Sequence, residues 1–135
     1  MPSPIHYASE PKLSVEEFAK VLKSSTLAER RPVDDIARLE TMLKNADIII
    51  TARVDNNIVG VSRAITDYAF CCYLSDLAVD IKFQKQGIGK RLIAETHQKA
   101  SLKTSLYLVA APAAAEYYPK IGMPSYPCFG IRRAQ

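Results

Sequence analysis

The strongest constraint on the fold is an apolar strand that leads through a glycine turn into a helix. Residues 73–81 form a mostly apolar run with the length and composition of a buried strand. Residues 84–90, the glycine turn, are polar and contain Gly87 and Gly89, and apolar residues then recur at helical spacing over 87–101. This order directs several backbone N–H groups and the positive end of a helix dipole at one point. The stretch therefore predicts a binding site for phosphate.

The composition is that of an ordinary soluble globular protein. The chain has 135 residues, of which 48% are hydrophobic and 24% charged, and its net charge is +4. This length fits one domain, which we expect to cover residues 1–135. The basic residues are scattered along the chain. This argues against a nucleic-acid partner and is compatible with an anionic small-molecule cofactor.

The sequence predicts a cytoplasmic protein without a metal site. Its three cysteines, Cys71, Cys72 and Cys128, lack Cys-x-x-Cys spacing, and its two histidines are too few for a zinc site. The chain contains neither a signal peptide nor a run of about 18 apolar residues, so we expect no membrane association.

The remaining chain predicts a mixed α/β (α+β) fold. The chain first predicts an edge strand around Ile5 and Tyr7, a helix over 14–24 with a Ser14–Glu17 capping box, and a second helix that starts near residues 32–35. A hairpin over 48–65 with a loop of about three residues comes next, followed by the strand and helix described above. The last predicted elements are a strand over 105–110, a short helix over 112–120 and a strand over 126–133. The hairpin makes the sheet antiparallel at first, and the helix after the glycine turn allows a parallel crossover.

Two nucleotide-binding turns can be excluded by counting residues. A Rossmann dinucleotide turn requires a third glycine where Leu92 stands. A P-loop requires Ser or Thr after Lys90, and Arg91 stands there. On the residues alone, a tight strand-to-helix turn without a ligand stays open.

A third pattern matches the glycine turn. Gln84-Lys-Gln-Gly87-Ile-Gly89 fits the Gln/Arg-x-x-Gly-x-Gly/Ala motif of the GNAT superfamily of N-acetyltransferases, which the chain resembles. Val79 stands five residues before Gln84, as the strand-end valine of that superfamily does. Downstream, Ala114-Ala-Glu-Tyr117-Tyr118-Pro-Lys120-Ile-Gly122-Met123 looks like the family pattern Ala-x-x-Phe-Tyr-x-Lys-x-Gly-Phe. The order of the elements fits the family over nearly the whole chain.

The resemblance implies a GNAT-like fold and acetyl-CoA as the cofactor. The implied sheet has six to seven strands, antiparallel and then parallel at a splayed motif strand, with about four flanking helices. The strand end is implied to pair with the pantetheine arm, and the backbone N–H groups of Gln86 to Lys90 to hold the pyrophosphate. The implied cofactor-binding residues are Leu77, Ala78, Val79, Gln84, Lys85, Gln86, Gly87, Ile88, Gly89 and Lys90. The Val79 N–H is implied to polarise the thioester carbonyl.

The resemblance also implies catalytic residues. Tyr118 stands at the family's tyrosine position and is implied as the acid that protonates the departing thiolate; its neighbour Tyr117 replaces phenylalanine and is expected in the core. Tyr73 stands where some members carry a glutamate base, so Asp76, the carboxylate before Val79 on this strand, is the candidate base. A water relay that ends on Asp76 or on a tyrosine is the alternative. Asp80 and Glu116 are the other nearby carboxylates.

The predicted reaction is direct attack of a small-molecule primary amine on acetyl-CoA. Tyr68, Phe70 and Tyr73 precede or begin the motif strand and suggest an apolar or aromatic wall for the acceptor. Two alternatives stay open: an acetyltransferase that acts on a protein or peptide amine, and a non-catalytic acyl-CoA-binding regulatory module. The second is favoured by Tyr73 and by Ala111, which replaces an asparagine common in the family. A homodimer is compatible with the resemblance.

Overall fold

A computed structural model describes residues 3–134, which form one mixed sheet with helices packed against both of its faces. The strands are β1 Ile5–Ser9, β2 Ile48–Val54, β3 Asn57–Thr66, β4 Cys71–Val79 and β5 Ser105–Tyr107. The helices are α1 Val15–Ser24, α2 Ile36–Lys44, α3 Ile88–Ala100 and α4 Tyr117–Lys120, with short 3₁₀ turns at Leu27–Arg30, Ile81–Phe83 and Pro112–Ala114. The predicted mixed α/β class is confirmed. No helix in the described range combines the length and hydropathy needed to cross a bilayer.

The sheet has the order β1-β2-β3-β4-β5 and is antiparallel except between β4 and β5. β5 pairs with β4 only through Cys71–Ser105, Cys72–Leu106 and Tyr73–Tyr107. β4 continues along β3 to Val79, whereas β5 ends at Tyr107. From Leu74 to Val79, β4 therefore has an edge without a strand partner, which we call the open edge.

The two faces of the sheet are covered by different helices. Alternate side chains of β2 separate the two cores, because Ile49 lies with α1 and α2 while Ile48 and Ile50 lie with α3. α1 and α2 contribute Phe18, Val21, Leu22, Leu39 and Leu43 to the first core, and α3 contributes Ile88, Leu92 and Ala100 to the second.

The start of α1 follows half of the predicted capping box. The Glu17 N–H donates to Ser14 Oγ at 3.2 Å, as expected for an N-cap. The Glu17 carboxylate does not complete the box, because it accepts from the Arg53 guanidinium at 2.6 Å instead. In α2, Asp35 is the N-cap and accepts from the Arg38 N–H at 3.1 Å, so that helix begins just after the predicted start.

Two predicted details of the strands are wrong. The β2–β3 loop has two residues, Asp55 and Asn56, rather than three, and both have positive φ angles of 49° and 68°. Such a pair is typical of a type I′ turn, which matches the twist of a hairpin.

The second wrong detail is the last strand. Residues 126–133 form no strand, and the exposed fractions of Phe129 and Ile131 are 95% and 100%. Pro124 and Pro127 have no N–H to donate to a neighbouring strand. Five strands are therefore found among residues 3–134 instead of six to seven.

Candidate functional site

The glycine turn leaves backbone N–H groups without an intrahelical acceptor at the start of α3. Gly87 is the N-cap residue with φ +82°, a left-handed conformation that strains residues with a Cβ. The first helical hydrogen bond runs from the Arg91 N–H to Gly87 O at 3.0 Å. Because the first residues of a helix have no intrahelical acceptor, the N–H groups of Ile88, Gly89 and Lys90 depend on another partner. Gly87 has no side chain that could cap them, so these groups and the helix dipole form a candidate anion site.

Packing against β3 holds this end of α3 in place. The Ile88 and Leu92 side chains lie within 3.1–3.2 Å of the position that a Cβ on Gly60 would take, so α3 packs closely on β3. Farther along, the hydroxyls of Ser62 and Thr96 form a buried hydrogen bond of 2.6 Å between strand and helix. The anion site is therefore built on rigid elements.

The end of β4 is tied to the glycine turn by the Gln84 side chain. Gln84 Nε2 donates to Val79 O at 3.1 Å, which gives a physical reason for the five-residue spacing between them. On the other side, the Asp80 N–H donates to Val59 O of β3 at 2.8 Å. Since consecutive residues of a strand direct their backbone groups to opposite sides, the Val79 N–H points away from β3 and toward the open edge.

The predicted strand residues Leu77, Ala78 and Val79 thus have one paired and one unpaired side. They pair with Ser62, Val61 and Gly60 of β3, whereas β5 has already left β4. An extended ligand with amide groups could pair with the open edge in the manner of an added strand.

α4 places Tyr117 over the glycine turn and Tyr118 in contact with the Tyr117 ring. Tyr117 and Tyr118 pack edge to face, with ring centroids 5.2 Å apart. Burial raises the pKa of Tyr118, and the neighbouring Tyr117 raises it further. The Tyr117 hydroxyl oxygen lies 2.9 Å from the position that a Cβ on Gly89 would take. The expectation that Tyr117 packs in the core is wrong, because it belongs to neither core and lies over the turn.

Asp76 occupies a different environment from the other predicted site residues. Its side chain is completely buried, and its two carboxylate oxygens accept from Nε of Arg31 and Nε of Arg63. Arg31 Nη2 also donates to Ser75 O at 2.7 Å, and Arg63 Nη2 donates to Ser75 Oγ at 3.0 Å. A carboxylate held in this way does not reach an amine in solution. This position argues against the predicted role of Asp76 as the base.

A bulge in β4 brings this cluster together. Arg63 pairs with Asp76 while Ala64 pairs with Leu74, so Ser75 is the extra residue in β4. Arg31 lies 45 positions from Asp76 in the chain, and no local sequence pattern relates the two. The two arginines are therefore residues that sequence reasoning missed.

The other predicted residues lie on the surface of the turn. Lys85, Gln86 and Lys90 are exposed, and Lys85 has a positive φ of 65°. Of the alternative carboxylates, Asp80 caps a 3₁₀ turn by accepting from the Lys82 N–H at 2.9 Å, and Glu116 is exposed beside α4.

Known proteins resemble the chain in sequence and in fold. The family profile of the acetyltransferase (GNAT) domain matches residues 12–124. An uncharacterized N-acetyltransferase, ycf52, of Pyropia yezoensis is 26% identical over 87% of this chain and 69% of its own length. Histone acetyltransferase TAP1 of Glycine max is 27% identical over 73% of this chain and 47% of its own length. Aminoglycoside N-acetyltransferase AAC(6')-Iy, solved in complex with CoA, superposes with a TM-score of 0.77 at 17% identity, covering 100% of this chain and 97% of that one.

The profile covers most of the chain and both of the motifs around Gly87 and Tyr118. The predicted acyltransferase class is confirmed at the level of the family. The combination of an open edge on β4, a glycine turn that leads into α3 and a matching profile identifies the chain as a member of the GNAT acetyltransferase family.

Proposed function

We propose that residues 1–135 act as one domain that transfers an acetyl group from acetyl-CoA to the primary amine of a small molecule. The observation that carries the proposal is the position of the N–H groups of Ile88, Gly89 and Lys90, which have no intrahelical acceptor and follow directly after the open edge of β4. A phosphate site beside an unpaired strand edge suits a ligand that joins a pyrophosphate to an amide-containing arm.

The residues around the turn fit this cofactor. When bound, acetyl-CoA supplies an activated acyl thioester. The first-turn N–H groups of α3 would hold its pyrophosphate, and Leu77 to Val79 would pair with its arm. The Val79 N–H, directed into the open edge, is our candidate for polarising the acyl carbonyl. The CoA complex of AAC(6')-Iy, which has the same fold, supports this assignment.

Tyr118 is our candidate for the catalytic acid. Its ring is half-buried against Tyr117, and burial raises its pKa, so the Oη proton is retained at neutral pH. A phenol in this state can donate its proton to a leaving sulfur. We assign Asp76 a structural role and not the role of the base that deprotonates the acceptor. Deprotonation of the acceptor is then left to a water relay.

The acceptor that we favour is a small amine with apolar or aromatic character. Tyr73 and Tyr107 pair at the point where β4 and β5 separate, and their exposed fractions are 44% and 49%. The relatives differ here, because one is a histone acetyltransferase and another an aminoglycoside N-acetyltransferase. A protein amine is the second candidate acceptor. A non-catalytic acyl-CoA-binding module remains the alternative to an enzyme.

The described residues also support a homodimer, which we propose as the assembly. The outer edge of β5 has no strand partner, and Phe129 and Ile131, farther along the chain, are almost fully exposed. Light scattering after size-exclusion chromatography tests this, and a monomer at micromolar concentration would contradict it. The cytoplasmic location stays a prediction.

Two measurements test the proposed function. Isothermal titration with CoA should give saturable binding, and an absence of binding at millimolar CoA would contradict the cofactor assignment. A thiol-release assay with acetyl-CoA should show turnover with at least one amine from a panel of arylalkyl amines, aminoglycosides and lysine peptides. CoA binding without turnover on any of them would favour the regulatory module.

A further inference from the structure

The Tyr117 ring fills the space in front of Gly89. Its Oη, Cζ and Cε2 atoms lie 2.9, 3.5 and 3.8 Å from the position that a Cβ on Gly89 would take, and they are the three nearest atoms there. The missing Cβ of Gly89 therefore makes room for this ring. That space is also the approach to the first-turn N–H groups of α3, which the proposed function assigns to the pyrophosphate of the cofactor.

The position of Tyr117 is supported from both sides. Its ring packs edge to face on the Tyr118 ring, and the end of α4 is closed by N–H groups of Gly122 and Met123 that donate to Pro119 O and Tyr118 O at 3.1 and 3.0 Å. Burial raises the pKa of Tyr117, and the nearby backbone N–H of Lys90 acts against that rise. Together with the 2.9 Å approach to Gly89, this brings the hydroxyl oxygen close to the N–H groups at the start of α3.

The hydroxyl is a departure from the family pattern. The family pattern that the segment resembles has phenylalanine at the Tyr117 position, and a phenyl ring offers the Lys90 N–H no oxygen. A phenol oxygen and a phosphate oxygen are both acceptors, and they cannot occupy the same space beside one N–H group.

We propose that Tyr117 caps the glycine turn in the free protein and that the pyrophosphate of the cofactor displaces its hydroxyl on binding. The inference rests on the proposed function, because it assumes that the pyrophosphate binds at the first-turn N–H groups. Tyr118 follows directly in the chain and is in ring contact with Tyr117. Tyr117 is therefore a positioning residue that couples occupation of the turn to the surroundings of the candidate acid.

The Tyr117→Phe variant tests the cap, since it retains the ring and removes the hydroxyl. Loss of one competing hydrogen bond should tighten binding of CoA, and of inorganic pyrophosphate alone, by about threefold to tenfold in Kd. Binding of pantetheine, which lacks the pyrophosphate, should not change. Tyr126→Phe is the matched control because Tyr126 is 67% exposed and packs on Tyr107 rather than on the turn; its Kd for CoA should equal that of the wild type.

Unchanged or weaker CoA binding by Tyr117→Phe would overturn the inference, and weaker binding would identify the hydroxyl as a donor to the phosphate. If the wild-type protein itself does not bind CoA, the proposed function fails instead. A second measurement avoids the variant altogether. In the wild-type protein, nuclear magnetic resonance signals of the Tyr117 ring and the Lys90 amide should shift together as pyrophosphate is added. A Tyr117 ring that is insensitive to bound pyrophosphate would also overturn the cap.

Discussion

The two sides of β4 use their polar groups in opposite ways. On the edge toward β3, the backbone is paired. On the face toward α1 and α2, the Asp76 carboxylate is buried between Arg31 and Arg63. On the open edge, the backbone of Leu77 to Val79 has no strand partner, and the glycine turn, whose first N–H groups have no intrahelical acceptor, follows directly. The side chain with the most obvious chemistry is thus locked into the scaffold. The groups available to a ligand are backbone N–H groups, which a sequence pattern reveals only through its glycines.

The largest expected effect concerns the buried carboxylate of Asp76. Asp76→Ala leaves two guanidiniums without their carboxylate in a buried site, which should cost about 3–5 kcal/mol in the free energy of unfolding. Urea denaturation measures the loss. Asp80→Ala is the matched control: Asp80 is partly exposed, and the variant loses only a cap on a 3₁₀ turn, typically about 1 kcal/mol. An Asp76→Asn variant with wild-type stability and no turnover would restore Asp76 as the base.

The next effect concerns Tyr118, the candidate acid. Tyr118→Phe removes the phenol proton while retaining the ring, so kcat should fall about 100-fold or more with an unchanged Kd for CoA. Because burial raises the pKa of Tyr118, the alkaline decline of kcat that depends on this group should lie above its ordinary value of about 10. Steady-state kinetics across pH provide the measurement. Equal losses in kcat and in CoA affinity would instead indicate a packing role.

A smaller effect is expected at the glycine turn. In the Gly87→Ala variant, the new Cβ has no atom within 4 Å. The loss in the free energy of unfolding therefore comes from the positive φ of +82° alone and should be about 1–2 kcal/mol. Distortion of the turn should also weaken CoA binding, by up to about tenfold. Gly130→Ala is the control, since it too has open space but no positive φ. If both alanine variants bind CoA like the wild type, the turn does not depend on its left-handed residue.

The smallest effect concerns a second ion-pair cluster, in which one guanidinium lies between two carboxylates. Hydrogen bonds from Arg53 lower the pKa of Glu10 and of Glu17 below the model-peptide value of 4.5. Their contribution to stability is therefore complete above about pH 5 and is lost as the pH falls through the lowered values.

Glu10 and Glu17 are 28% and 39% exposed, so solvent screening should limit the loss at acidic pH to about 1 kcal/mol. Thermal unfolding between about pH 6 and 3 measures it. Arg53→Met should reduce this pH dependence, and an unchanged acid profile in that variant would show that other carboxylates are responsible. The comparison with Asp76→Ala measures how much burial changes the contribution of such a cluster.

The sequence by itself determined those features that depend on neighbours in the chain. The strand β2, the Ser14 cap and the helix after the glycine turn are local patterns, and each forms as predicted. The glycine turn is also local, since the positive φ of Gly87 and the spacing from Val79 to Gln84 depend on a few consecutive residues. For the same reason, the cofactor end of the site could be recognised from a motif.

Only the tertiary structure decided the features that join distant parts of the chain. The pairing of Asp76 with Arg31, the separation of β5 after Tyr107 and the position of Tyr117 over Gly89 each depend on packing between separate elements. A carboxylate looks the same in a sequence whether it faces an acceptor or two guanidiniums, and an aromatic residue looks the same in a core and over a turn. Burial and partners, which arise only when the elements pack, decide between those roles.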